Sequence, residues 1–248
     1  MGKYNSSKTR VTPLFNKIGS DDSMLNELFK LFKYKVPKFE NESVLEICYG
    51  KNEKRIPAPK SMLTWMLNNL SELNKLPNYG IKNNESQSYI KRKLLFAGDS
   101  KTLKEAIDAV SNVEKSSDSR WYVFEGKTAP DIYIKTKESI FIGEAKRTER
   151  NITTKTLWLK NRDQLIRHID SLLDQEKEIY SFYLLENKTF KNYYEQSMKL
   201  YNDRSYFESN LKHRNEQQID RAFKSFIGFI FWEDLAEKFD IPFPEINE

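Results

Sequence analysis

Apolar and polar positions along residues 1–98 mostly follow the period of a helix. Apolar side chains recur every three or four positions in three stretches, as they do on the buried face of an amphipathic helix. We therefore predict helices at 24–32, 60–70 and 85–96, and a short strand at 44–49. Residues 1–22 are polar and are predicted to be loose. Residues 1–98 are thus expected to form a mostly helical N-terminal region.

Beyond residue 98 the period changes, because short runs of β-branched and aromatic residues alternate with helical stretches. Strands are predicted at 121–124, 131–135, 139–145, 179–185 and 226–232, and helices at 102–113, 156–174, 190–222 and 233–239. The first six of these elements follow the order α-β-β-β-α-β. This order places residues 99–248 in the α/β class, as a second region with its own core.

The composition restricts the chemistry that the chain can perform. Its 248 residues include one cysteine, Cys48, and two histidines, His168 and His213. A disulfide framework and a multi-cysteine zinc site are therefore excluded, and a histidine-rich metal centre is disfavoured. Metal chemistry would have to use carboxylates, which prefer hard ions such as Mg²⁺.

Charge and hydropathy bear on the cellular location and the partners of the protein. The 41 Lys and Arg residues exceed the 36 Asp and Glu residues by five, a surplus too small to establish nucleic-acid binding by itself. The N-terminus lacks the apolar stretch of a signal peptide, and no apolar run reaches the roughly 20 residues of a membrane span. We expect a soluble, cytoplasmic protein with no membrane partner.

The candidate chemistry lies in the hairpin predicted at 131–145. Asp131 opens one strand, and Glu144 and Lys146 end the next, where the two-residue period places them on one face. Hairpin pairing brings Asp131 beside Glu144. Two carboxylates at a strand edge can hold Mg²⁺, and a neighbouring lysine can orient a water or neutralise charge on a phosphate. The alternative is a surface ion pair worth under about 1 kcal/mol.

The spacing acidic-x-Lys occurs four times, and only the copy at 144–146 ends an apolar strand, follows a Pro-Asp strand start and precedes a helix. With this context the chain resembles the PD-(D/E)XK nuclease superfamily, which has the restriction-endonuclease-like fold. The resemblance covers about 102–186, with 226–232 as a further strand. Its matching residues are Pro130, Asp131, Glu144, Ala145 and Lys146.

The resemblance implies a mixed central sheet flanked by helices, next to the N-terminal helical region. It also implies hydrolysis of phosphodiester bonds with Mg²⁺, for which Mn²⁺ can substitute. Asp131 and Glu144 would ligate the metal together with the backbone carbonyl of Ala145. Lys146 would assist the attacking water.

Two further features concern the surroundings of this motif. Gln164 and His168 are four residues apart on the following helix and share a face. Some superfamily members carry Gln followed four residues later by Tyr, and His168 stands at the place of that Tyr. Many members also use an acidic residue upstream, for which we favour Glu125 over Glu105 and Glu114.

We therefore predict a Mg²⁺-dependent DNA nuclease, with a role in restriction, phage defence or mobile-element processing that only the resemblance suggests. DNA is the expected partner, and cutting both strands of a duplex needs two sites, which favours a homodimer by symmetry. Two alternatives stay open. One is a catalytically inactive nucleic-acid-binding or protein-interaction module of the same fold. The other is an RNA-specific or structure-specific nuclease.

Overall fold

A computed structural model describes residues 6–32, 42–74, 86–112, 120–147, 156, 158–159, 162–186 and 191–241. Its centre is a five-stranded sheet with the strands in chain order. The strands are β1 (Glu46–Tyr49), β2 (Ile132–Lys135), β3 (Ser139–Lys146), β4 (Glu178–Leu185) and β5 (Phe226–Phe231). β2 is antiparallel to both neighbours, while β3, β4 and β5 are mutually parallel. The sheet is therefore mixed, and the fold belongs to the α/β class, as predicted.

Helices pack on both faces of the sheet and around its edge. They are α1 (Thr12–Ile18), α2 (Asp22–Lys30), α3 (Lys60–Asn68), α4 (Gln87–Phe96), α5 (Ser100–Asn112), α6 (Gln164–Asp170), α7 (Lys191–Tyr201), α8 (Arg204–Asn210), α9 (Glu216–Ser225) and α10 (Trp232–Phe239). None of the helices within the described ranges is long and apolar enough to cross a bilayer.

The two faces of the sheet bury different sets of residues, because successive side chains of a strand point to opposite sides. Phe141 lies in the core that contains α1, α2 and α10. Ile140 and Ile142 lie in the core on the other side, with α6 and α9. Glu144 and Lys146 share the period of Ile140 and Ile142, so they face α6. This alternation places the charged end of β3 beneath the start of that helix.

The prediction that residues 1–22 are loose is wrong for residues 6–22, and residues 1–5 lie outside the described residues. A π-helical turn, Ser7–Val11, leads into α1, and α2 begins at Asp22. Val11, Leu14, Phe15 and Ile18 are buried against the sheet. These four positions have the i, i+3, i+4, i+7 spacing of a helix face, and the surrounding polar residues obscured this pattern.

The strand predicted at 121–124 is also wrong. These residues form turns, and Tyr122, Val123 and Phe124 are buried in a separate core with α3 and α5. A short apolar run has the same appearance in a strand and beneath packed helices. The strand that pairs with β2 on the side away from β3 is β1, which the sequence predicts at 44–49. The sheet thus takes strands from both sides of residue 98.

Gly143, in the middle of β3, leaves no room for a side chain. A Cβ at this position would lie 2.5 Å from Cε2 of Phe182 and 3.0 Å from Cδ1 of Ile132, both fully buried. We expect Gly143→Ala to lower the free energy of unfolding by about 1–3 kcal/mol, measured by urea denaturation. In a Phe182→Leu background the same substitution should cost less. An equal cost in both backgrounds would contradict the steric explanation.

Candidate functional site

Asp131 and Glu144 meet where β2 begins and β3 ends; we call them the carboxylate pair. Ile132 pairs with Gly143 across the two strands, so the residues on either side, Asp131 and Glu144, stand opposite each other. The backbone N–H of Ala145 donates to Oδ2 of Asp131 at 2.9 Å, which fixes that carboxylate. The hairpin pairing predicted from the sequence therefore brings the two carboxylates together.

Lys146 lies on the same side of the sheet and contacts both the pair and α6. Its Nζ donates to Oε1 of Glu144 at 2.9 Å and to Oε1 of Gln164 at 3.3 Å. The Glu144 and Lys146 side chains are 3% and 8% exposed, so their ion pair is shielded from water. Gln164 reaches this position because it is the first residue of α6, whose N-cap is the side chain of Asp163.

His168 supports Glu144 from the next turn of α6. Its Nε2 lies 3.1 Å from Oε2 of Glu144, and its Nδ1 lies 2.5 Å from the hydroxyl oxygen of Thr128. All three side chains are buried. The shared helix face of Gln164 and His168 therefore does turn towards the motif. No pattern in the sequence pointed to Thr128.

Burial and mutual repulsion act on the carboxylate pair. Burial, followed by the charge of Glu144, raises the pKa of Asp131 to about 8. Burial alone would also raise the pKa of Glu144, but the hydrogen bond with His168 and the charge of Lys146 hold this pKa below its ordinary value. Near neutral pH the pair therefore carries about one negative charge, and Asp131 accepts either a proton or a nearby cation.

Glu53 is a third carboxylate, whose charge acts on the pair, and we did not predict it. Burial, followed by the charge of Glu144, raises the pKa of Glu53, and Glu53 in turn contributes to the raised pKa of Asp131. Glu53 is exposed and follows β1 closely. The end of β1 pairs with the start of β2, through Tyr49 and Ile132, which brings Glu53 to this edge. Only that long-range pairing could have identified it.

Of the upstream acidic residues predicted from the resemblance, the two that the structure describes pair with basic side chains. Both carboxylate oxygens of Glu125 accept from Arg162, at 2.6 and 2.5 Å, so its charge is already neutralised by a buried partner. Glu105 is exposed on α5 and pairs with Lys91. Glu114 lies outside the described residues. Glu53, by contrast, interacts electrostatically with the carboxylate pair.

The donors at this edge suit a hard cation. In the part of the chain that the structure describes, no three His, Cys, Asp or Glu side chains form a group able to hold a metal ion. Two carboxylates are nevertheless enough for Mg²⁺, which usually keeps several of its waters. Ala145 packs its side chain into the opposite core, so only its backbone could take part. The donors are oxygens, and the repulsion between Glu144 and Asp131 favours a cation bound by both. These properties fit Mg²⁺ or Mn²⁺.

The arrangement combines a carboxylate pair, a buried ammonium, and two helix side chains that contact them. These are the elements from which a metal-assisted hydrolytic site is built. The resemblance to the PD-(D/E)XK nucleases rests on these residues and their placement alone. In comparisons with known proteins, the chain matches no family model, and no curated protein or solved structure shows significant similarity to it.

Proposed function

We propose that this protein is a Mg²⁺-dependent nuclease that hydrolyses phosphodiester bonds in DNA. The convergence of Asp131, Glu144 and Lys146 at one sheet edge, with Gln164 bonded to Lys146, carries this proposal. The acidic-x-Lys spacing alone is common, but here the ammonium, both carboxylates and the amide meet in space. The excess of basic over acidic residues agrees with a polyanionic substrate.

Each side chain has a distinct role in this proposal. Asp131 and Glu144 would hold the cation, and Mg²⁺ bound there would polarise the phosphate and lower the pKa of a bound water. The Ala145 N–H keeps Asp131 aligned. His168, itself held by Thr128, keeps Glu144 aligned from the other side.

Lys146 supplies the positive charge nearest the reacting phosphate. Its ammonium group is held between Glu144 and Gln164 by the two hydrogen bonds described above. A cation held by the carboxylates would compete with Lys146 for Glu144, and Gln164 would then still orient the ammonium. Lys146 would orient the attacking water or neutralise charge that develops on the phosphate.

Cleavage of circular DNA, in both double-stranded and single-stranded form, tests this function. We expect cleavage with Mg²⁺, none with EDTA, and a loss of about 10²–10³-fold in rate for Lys146→Ala, as for removal of other preorganised charge-stabilising groups. The matched control is Lys137→Ala, in the turn between β2 and β3, where the side chain is 86% exposed. Equal activity in Mg²⁺, in EDTA and in Lys146→Ala would contradict the proposal.

One observation favours a second candidate, a nucleic-acid-binding module without catalysis. Both carboxylate oxygens of Glu144 already have partners, Lys146 and His168, an arrangement that also suits a purely structural ion pair. Such a module would bind DNA with a strong salt dependence and no requirement for metal. Calorimetric Mn²⁺ binding that disappears in Asp131→Ala would exclude this candidate.

A further inference from the structure

A cleft of about 480 Å³ opens beside the candidate site. Its lining includes the loop 126–129, Phe124, Trp158, Gln164, Arg167 and His168. We propose that this cleft, here named the α6 cleft, receives an unpaired nucleotide of the substrate strand. Single-stranded DNA, or an unpaired stretch beside a duplex, would then be preferred over fully paired DNA. This inference rests on the proposed function and specifies its substrate.

The cleft borders the reacting groups through two of its lining side chains. Gln164 and His168 line it and also contact Lys146 and Glu144. A nucleotide in the cleft would therefore place its neighbouring phosphate next to the carboxylate pair. The volume falls in the range of pockets that take one small ligand, about 300–1,000 Å³. A base in a paired duplex could not enter without leaving its stack, which costs least where it is already unpaired.

The charge of the cleft suits a phosphate. Lys127 is exposed at the rim, and Arg167 lines the wall. Arg167 Nη2 donates to the backbone carbonyls of Gly126 and Lys127 at 2.8 and 2.9 Å, which holds its positive charge in place. Among the described residues that line the cleft, the carboxylate is Glu125, which pairs with Arg162 at 2.5 Å and lies 3.9 Å from Nε of Arg167. Lys127 and Arg167 thus bring positive charge to the cleft, and positive charge attracts the nucleic-acid backbone.

The apolar wall is preorganised for a base. The rings of Phe124 and Trp158 pack edge to face with their centroids 4.8 Å apart. The Arg92 guanidinium lies over both, at 5.2 and 5.4 Å from their centroids. Because these contacts already fix the Phe124 and Trp158 side chains, the two side chains lose little conformational freedom when a ligand binds. Phe124 and Trp158 are 3% and 8% exposed, so a base would contact a small part of each ring, and such apolar contact gives little sequence preference.

Fluorescence anisotropy with labelled DNA, in EDTA so that nothing is cleaved, tests this inference. We expect the wild-type protein to bind a single strand about tenfold more tightly than a blunt duplex of equal length, since a duplex must first unstack and unpair the base that enters the cleft. Lys127→Glu should remove most of this preference, because it reverses the charge at the rim. The matched control is Lys104→Glu, an exposed position on α5, which should retain the preference.

The outcomes separate this inference from the proposed function. Equal affinity for both DNA forms, or an equal loss for both in Lys127→Glu, would overturn the cleft proposal even if the protein cleaves DNA. A single-strand preference that Lys127→Glu removes would support the cleft. If this preference coexists with no cleavage in Mg²⁺ or Mn²⁺, the proposed function fails while the cleft inference stands. Circular dichroism of both variants verifies that they are folded.

Discussion

Asp131→Asn is expected to abolish Mn²⁺ binding and to slow DNA cleavage by about 10³-fold, the upper end of the effect of one preorganised charged group. The amide keeps the shape of the side chain but has no negative charge for a cation. The fold should survive, because burial and the charge of Glu144 already disfavour the ionised form of Asp131, as its raised pKa of about 8 indicates. Calorimetric Mn²⁺ titration, single-turnover cleavage and urea denaturation together test this prediction.

The control for Asp131→Asn is Asp108→Asn, an exposed position on α5 that should keep wild-type metal binding and activity. Both variants replace an aspartate carboxylate with an amide, so a difference between their metal binding or activity is due to the position of the residue. Unchanged Mn²⁺ binding in Asp131→Asn would contradict the assignment of the carboxylate pair as a cation site. Severe destabilisation would indicate instead that the Asp131 charge is structural.

Asp170→Asn is expected to produce the largest loss of stability, about 3–5 kcal/mol, as found when one partner of a buried ion pair is removed. Asp170 is fully buried and accepts from Arg162 Nη2 at 2.6 Å and from Arg214 Nε at 2.7 Å. His213 Nε2 lies 3.0 Å from Oδ1 of Asp170, the oxygen that also accepts from Arg214. The substitution would leave two buried guanidinium groups without this charge. Urea denaturation at neutral pH measures the loss.

The pH dependence gives this prediction a second readout. Burial alone would raise the pKa of Asp170, but Arg162, His213 and Arg214 hold it well below its ordinary value. A depressed pKa contributes stability above the unfolded value of about 4 and loses it as the pH falls further. The stability difference between wild type and Asp170→Asn should therefore shrink below pH 4. A difference that is constant with pH would contradict this account.

Asp174→Asn is the control for the same cluster. Its side chain is 59% exposed and also pairs with Arg214. Because the Asp174 carboxylate is accessible to solvent, its removal should cost less than about 1 kcal/mol. A loss comparable to that of Asp170→Asn would show that burial does not govern the cluster.

The buried charges matter for the candidate site because they anchor the start of α6. Arg162, bound by Glu125 and Asp170, immediately precedes Asp163. The Asp163 carboxylate accepts from the hydroxyls of Tyr201 and Tyr206, each at 2.8 Å, and also caps α6. The first residue after this cap, Gln164, contacts Lys146. The position of Gln164 thus depends on charges outside the site.

The hairpin could be predicted because its determinants are local. Asp131 and Glu144 are close in sequence, and the two-residue period of β3 places Glu144 and Lys146 on one face. The four-residue spacing of Gln164 and His168 likewise follows from the helix alone. These parts of the site require no knowledge of the tertiary fold.

The rest depends on pairings between distant segments. Glu53 interacts with the carboxylate pair only because β1 pairs with β2. Glu125 does not act as a free carboxylate because Arg162 binds both of its oxygens. Neither partner is visible from spacing. The prediction of a strand at 121–124 failed for a related reason. Residues buried beneath α3 and α5 are of the same apolar types as residues in a strand.

Anomalous diffraction from crystals grown with Mn²⁺ tests the central claim most directly, namely that the carboxylate pair is a metal centre. We predict an anomalous peak contacted by both Asp131 and Glu144, and its loss in Asp131→Asn crystals grown in the same way. An intact Lys146–Glu144 ion pair with no anomalous density between the two carboxylates, at millimolar Mn²⁺, would contradict the claim.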